Sequence, residues 1–179
     1  MSGPLSHIRV LDLSRIMAGP WCGQILADLG AEVIKIERLG AGDDTRQWGP
    51  PFLSDSDGRQ TNESGYYLSV NRGKKSVEID LKTSEGVAVI IALSRRCDIL
   101  LENFKTGTLD RMGLGYDALK LINPRLIYCS ITGFGLTGPR AGDAAYDFMI
   151  QGMGGLMSVT GASDSQAGGG PQKVGGPIV

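Results

Sequence analysis

Residues 8–37, IRVLDLSRIMAGPWCGQILADLGAEVIKIE, decide the fold. Ile8 to Leu13 is an apolar run with Asp12 near its end, the mark of a buried strand. Ser14 to Pro20 is a loop, and Pro20 suits a first helical turn, where its missing N–H goes unused. Cys22, Ile25, Leu26 and Leu29 then recur at helical spacing, and Gly30 is a natural terminator. Glu32 to Glu37 forms a second strand. Strand, helix and strand in so short a stretch imply a parallel pair joined by a right-handed crossover.

The same alternation continues outward. Leu39 to Ser64 is a long polar stretch rich in Gly, Pro, Asp and Ser, read as a functional loop or extended arm. Tyr66 to Val70 is ambiguous, and Asn71 to Lys75 reads as a basic turn. Ser76 to Leu81 alternates like a strand. A helix capped by Thr83 or Ser84 runs to about Arg96, and Asp98 to Glu102 is another strand. Leu109 to Ile122 is helical in pattern but broken near Gly113 and Gly115, and it stops before Pro124. Leu126 to Ile131 is a further buried strand, and a weak helix is predicted from about Tyr146 to Leu156. The expected class is α/β: a Rossmann-like, mostly parallel sheet covered by helices on both faces. No internal repeat or domain boundary stands out.

Composition narrows the function. The 179 residues carry Lys+Arg 18 against Asp+Glu 19, a net charge of -1, which argues against nucleic acid as a partner. Cys22, Cys97 and Cys129 are odd in number and widely spaced, and read as buried free thiols of a reducing compartment. With no C-x-x-C and His7 the only histidine, no metal site is expected. No apolar run is long enough for a membrane span and no signal-peptide core is visible, so the expected location is cytoplasmic. Residues 152–176 are dense in glycine and close no core of their own, so the chain reads as the front of a longer protein.

In open parallel sheets ligands bind beyond the carboxyl ends of the strands. Those positions hold Arg15 to Pro20, Arg38, Lys82, Asn103-Phe104, and Thr132 to Gly135. The first loop lacks the G-x-G-x-x-G pattern of a nicotinamide dinucleotide site, with Gly19 as its one glycine. Glu37 resembles the acidic ribose reader of that class, but Arg38 follows at once. An arginine there suits a phosphate on the ribose, which coenzyme A carries and NAD lacks. The plain alternatives are a solvated Arg38, a surface Lys82, a core Phe104 and three core cysteines.

The runs LDLSRIMAGPWCGQILADLGAEVIKIERLGAGDDTR, NRGKKSVEID, LLENFKTGTLDRMGLGY and NPRLIYCSITGFGLTGP resemble the family III CoA-transferases, the formyl-CoA and carnitine CoA-transferase group. The likeness runs from Ile8 to about Gly161. The run AGDDTRQWGPPF is similar to the branch that moves CoA between dicarboxylates such as succinate and glutarate. The resemblance implies an interlocked homodimer, with acyl-CoA and a carboxylic acid as substrates. It implies CoA contacts at Met17-Ala18, Arg38, Ile79 to Lys82, Asn103-Phe104 and Arg111. Residues 1–179 would be the front part of the large CoA-binding domain. Met17 departs from the glutamine of the formyl-CoA enzymes, which argues against oxalate/formate specificity.

The family's nucleophile is an aspartate that forms an anhydride and then an aspartyl-CoA thioester. By the resemblance it would immediately follow Val179, so no catalytic residue is expected within the chain. The same fold supports 2-methylacyl-CoA racemases, which need a G-H-D segment. The matching segment here is Ala145-Tyr146-Asp147, with tyrosine in place of histidine, which favours transfer over racemisation. Tyr146 is thereby a candidate neighbour of the acyl group, its plain alternative being a core tyrosine. A non-catalytic CoA-binding fragment is the remaining alternative.

Overall fold

The computed structural model describes residues 3–176, which group into two compact units, one ending at Ile131 and one beginning at Thr132. The first unit is built on a five-stranded, wholly parallel sheet. Its strands are β1 (Arg9–Asp12), β2 (Glu32–Glu37), β5 (Lys74–Glu78), β6 (Ile99–Glu102) and β7 (Ile127–Ser130), in the spatial order β5-β2-β1-β6-β7. The order grows outward from β1 in both directions. This is the doubly wound arrangement, with its reversal point between β1 and β6.

Helices cover both faces. Leu11, Leu13, Ile36 and Leu100 pack with Ile90, Leu119 and Leu126 in the larger core, against α3 (Ser84–Ser94) and α5 (Tyr116–Ile122). Val10, Val33 and Leu101 pack with Cys22 and Leu26 of α1 (Ala18–Asp28) in the smaller one. Side chains alternate along a strand, so Asp12, Lys35 and Glu37 share this second face with Val10 and Val33. All three are buried. The α1 side of the sheet is therefore apolar toward its amino end and charged toward its carboxyl end.

Several expectations need correction. The polar stretch 39–64 is not structureless: it holds a 3-10 turn (Asp44–Gln47) and an antiparallel hairpin of β3 (Phe52–Ser54) and β4 (Gln60–Ser64). The hairpin turn is held by the Asp55 carboxylate, which accepts from the amides of Asp57 and Arg59 at 2.9 and 2.8 Å. The ambiguous 66–70 segment is α2 (Gly65–Asn71), capped by Ser64. The third sheet strand begins at Lys74, not Ser76, so Lys74 and Lys75 belong to it and not to a turn. The break at Gly113 and Gly115 is real, and separates α4 (Thr108–Arg111) from α5.

In the second unit, residues 147–160 form two helices, α6 (Asp147–Met153) and α7 (Leu156–Thr160), parted by Gly154 and a left-handed Gly155 (φ 83). Gln151 is its one wholly buried polar side chain among the described residues, and its Oε1 accepts from the Val174 amide at 2.9 Å. The cysteines are free, but Cys22 and Cys129 are half-buried rather than buried as expected. Cys97 is fully buried, and burial pushes its thiol up to about 11.

Candidate functional site

The carboxyl ends of β1 and β6 meet at the reversal point, and Asn103 fastens them. Its Oδ1 accepts from the Arg15 amide at 2.8 Å, and its Nδ2 donates to the Arg15 carbonyl at 2.7 Å. The next residue, Ile16, has φ 71. A β-branched residue there is strained and persists only where its surroundings fix it. Asn103 fixes one side. On the other, the buried Asp43 carboxylate accepts from the Ile16 amide at 3.3 Å and from Thr45 N and Oγ1 at 3.0 and 2.7 Å. The strained turn delivers Met17 and Ala18 to the start of α1. Met17 supplies no side-chain cap, so the first-turn amides of α1 stand uncapped by a side chain. That is the place where this sheet topology receives phosphate groups.

Two glycines let α1 come so close. A Cβ on Gly19 would collide with the Ser14 side chain, and one on Gly23 would lie 2.7 Å from Asp12 Oδ2 and 3.1 Å from Lys74 Nζ. The fingerprint glycines are absent from the loop, but this i, i+4 pair performs the close-packing part of their role from within the helix.

Beneath the loops lies a layer of buried ion pairs. Lys74 Nζ meets Asp12 Oδ2 at 2.9 Å and donates to the Pro20 carbonyl at 2.7 Å and to Asn71 Oδ1 at 3.0 Å. Burial lowers its pKa, with Asp12 opposing. Lys35 Nζ meets Asp43 Oδ2 at 2.9 Å and donates to the Ser14 carbonyl, also at 2.9 Å. For Asp43, burial works to raise the pKa but Lys35 and Thr45 outweigh it, and the net shift is downward.

Glu37 is the most heavily engaged. Arg46 grips it through two bonds of 2.7 and 2.8 Å, Tyr67 and Ser76 donate to Oε1 at 2.8 and 2.7 Å, and the Asp43 amide donates to Oε2 at 2.7 Å. Burial resists ionisation, yet these donors hold the carboxyl down to about 2. Glu37 therefore has no spare oxygen for a ribose.

Arg38 behaves in the opposite way. It points outward, about half exposed, and its Nη2 pairs with Asp44 Oδ1, while Arg15 Nη2 pairs with Asp44 Oδ2. Of the other expected contacts, Met17 is half-buried and Ala18 exposed, both at the α1 start. Ile79 is half-buried against the larger core, and its amide donates to the Glu37 carbonyl at 3.0 Å, which fastens the β5 end to the β2 end. Lys82 is exposed in the turn before α3, where the Asp80 carboxylate accepts from its amide. Phe104 packs against the larger core, and its amide donates to Glu102 at 2.8 Å.

Arg111 is exposed on α4, donating to Thr108 Oγ1 at 3.2 Å. These residues all follow carboxyl ends of the sheet's strands. Tyr146 belongs to the second unit and is 78% exposed, so it is no core tyrosine. The expected nucleophile falls outside the described residues.

Sequence reasoning placed Arg15 at a strand end but missed its pairing with Asp44, and it missed the buried pairs. The available signal was a lysine inside EVIKIE and an aspartate inside IRVLDL: charges within otherwise apolar strands imply partners. Among the described residues no group of three His, Cys, Asp or Glu side chains could hold a metal ion, and no helix is long and apolar enough to cross a membrane.

The chain has relatives among known proteins. It is 54% identical over 172 residues to a succinate–glutarate CoA-transferase of Agrobacterium fabrum, spanning 96% of this chain and 42% of that one. It is 51% identical to the human succinyl-CoA:glutarate CoA-transferase over 88% of this chain and 34% of the relative. A CAIB/BAIF family protein from Brucella suis superposes with a TM-score of 0.90 at 52% identity, covering 99% of this chain and 45% of that one. The chain thus spans less than half the length of these relatives. Residues 5–179 match the model of CoA-transferase family III, and the chain belongs to that family.

Proposed function

We propose that the intact protein moves CoA between an acyl-CoA and a carboxylic acid, a pair of dicarboxylates of the succinate and glutarate kind, and that residues 3–131 hold the nucleotide end of CoA. The observation that carries this reading is the division of labour at the end of β2. Glu37 is saturated within the protein, while Arg38 stands outward and is linked through Asp44 to Arg15 in the loop that leads to the uncapped start of α1. A nucleotide whose ribose bears a phosphate suits that pair, and one with a free ribose diol does not. Met17-Ala18, Ile79 to Lys82, Asn103-Phe104 and Arg111 complete the CoA contacts in this reading. Since the Asn103 side chain already serves Arg15, its part is chiefly to position the loop.

The chemistry follows the family's covalent route. An aspartate beyond the described residues attacks the thioester carbonyl, the C–S bond breaks, and CoA leaves as the thiolate. The thiolate attacks the aspartyl carbonyl of the resulting anhydride, releasing the donor acid. The acceptor carboxylate reverses both steps. Tyr146 stands in this reading near the acyl group. We also place the protein in the cytoplasm as an interlocked homodimer.

Mass spectrometry of the intact protein incubated with succinyl-CoA and a panel of dicarboxylic acids tests the reaction. The expected result is a new dicarboxylyl-CoA with release of succinate. Epimerisation of a 2-methylacyl-CoA without exchange would sink the assignment. Arg38→Ala is expected to weaken CoA binding roughly tenfold or more, in line with the loss of a charge-assisted contact, and to leave 3′-dephospho-CoA nearly unchanged. An equal loss for both ligands would remove Arg38 from the phosphate.

A further inference from the structure

Asp44 is held between two arginines that come from different strand ends. Its Oδ1 pairs with Arg38 beyond β2, and its Oδ2 pairs with Arg15 beyond β1. One carboxylate thus spans the two loops that line the nucleotide end of the site. The three charges sum to +1, so the cluster has an excess of cation at a place open to ligand. The side chains of Arg38, Arg15 and Asp44 are 51%, 36% and 26% exposed.

Arg15 is also incompletely satisfied. Its Nε is buried and has no hydrogen-bond partner among the described residues, while the backbone on both sides of its side chain is tied down by Asn103. The guanidinium is therefore delivered to this spot by a fixed main chain, and a single carboxylate oxygen does not use its donors.

We infer that Arg15 and Arg38 together form the seat for the ribose phosphate of CoA, and that Asp44 is a built-in substitute anion which the phosphate displaces. This rests on the CoA reading above and adds to it a second phosphate residue and a competitor. A phosphomonoester carries between one and two negative charges near neutral pH and three acceptor oxygens. It can neutralise two guanidiniums where one carboxylate cannot, and arginine forks match its geometry. Asp44 sits at the first position of the 3-10 turn, capped by the buried Asp43, and its own side chain is partly exposed. A side-chain rotation releases its carboxylate to water without disturbing Asp43, Thr45 or Glu37. Until displaced, Asp44 offsets part of the arginines' charge and weakens the seat for anions of lower charge.

Titration of CoA and 3′-dephospho-CoA into the intact protein tests this, with the ratio of the two affinities as the readout. Wild type is expected to favour CoA. Arg15→Gln is expected to cut that preference about tenfold, with Arg15→Lys keeping part of it, in line with loss of one charge-assisted contact. Asp44→Asn, which keeps the shape and removes the charge, is expected to raise the preference several-fold by sharpening CoA binding alone. Dephospho-CoA affinity reports whether each variant still folds its site.

A wild-type preference for CoA that neither Arg15→Gln nor Asp44→Asn alters would overturn the inference and leave the CoA reading standing. So would an Asp44→Asn variant that loses CoA and dephospho-CoA equally, since that marks a purely structural bridge. Failure of wild type to bind either ligand would overturn the CoA reading itself, and the inference with it.

Discussion

Glu37 and Arg38 are neighbours in the chain with opposite fates. The carboxylate is buried among five donated hydrogen bonds, while the guanidinium faces outward. Removing the charge of Glu37 leaves the partly buried Arg46 with the more distant Glu63, at 3.6 Å, as its remaining carboxylate partner, so Glu37→Gln is expected to cost about 3 kcal/mol in urea unfolding at neutral pH. The pH dependence has a definite sign. The folded pKa, about 2, lies below the ordinary 4.5. The unfolded chain therefore binds the proton first, and the stabilisation is full above pH 4.5 and is lost as pH falls toward 2. Its size is of order 3 kcal/mol. Wild type should lose stability across that window, and Glu37→Gln should lose about that much less. Equal acid slopes in the two proteins would show that Glu37 is not the group responsible.

The placement of α1 is set by glycines and buried charges together. Gly23→Ala brings a methyl group against the Asp12–Lys74 pair and should cost about 1–3 kcal/mol, the usual range for an overfilled site. It should also shift α1 and so weaken CoA binding; an unchanged denaturation midpoint would mean that the pair yields freely. The strands, α1 and the α4–α5 break were legible because their signals are local: apolar runs, helical spacing and glycine. The start of β5 was not. Lys74 looks like a turn residue until Asp12, sixty-two positions away in sequence, is seen to receive it. The hairpin of β3 and β4 was hidden for another reason. Its residues are mostly polar and partly exposed, so no alternation of apolar positions betrays it. Most of the proposed CoA contacts lie at strand-end positions that local sequence signals already marked. Arg15 was among those positions too, but its link to Asp44 was not legible, because it is a pairing between loops.

At the scale of the whole molecule, α1 carries an apolar stripe that its own unit does not cover. Trp21, Ile25 and Leu29 follow one another at i, i+4 and i+8, and remain 42%, 50% and 42% exposed. Beside them Ala18, Cys22 and Leu26 line a shallow apolar cleft. Helix geometry puts such residues on one face, and a contiguous stripe of this kind marks a contact surface. The relatives it matches continue well beyond the length of this chain, and the proposed interlocked dimer would bring still more surface to bear. The 179-residue chain on its own is therefore expected to bind a hydrophobic dye strongly and to sediment as species heavier than its 19.0 kDa. Replacing Trp21 and Ile25 together by Gln should reduce both signals while leaving the far-ultraviolet circular dichroism intact, because neither side chain belongs to the buried cores. A monodisperse monomer with little dye binding would show instead that this face rests in water, and that any proposed interlocked assembly must be held together elsewhere.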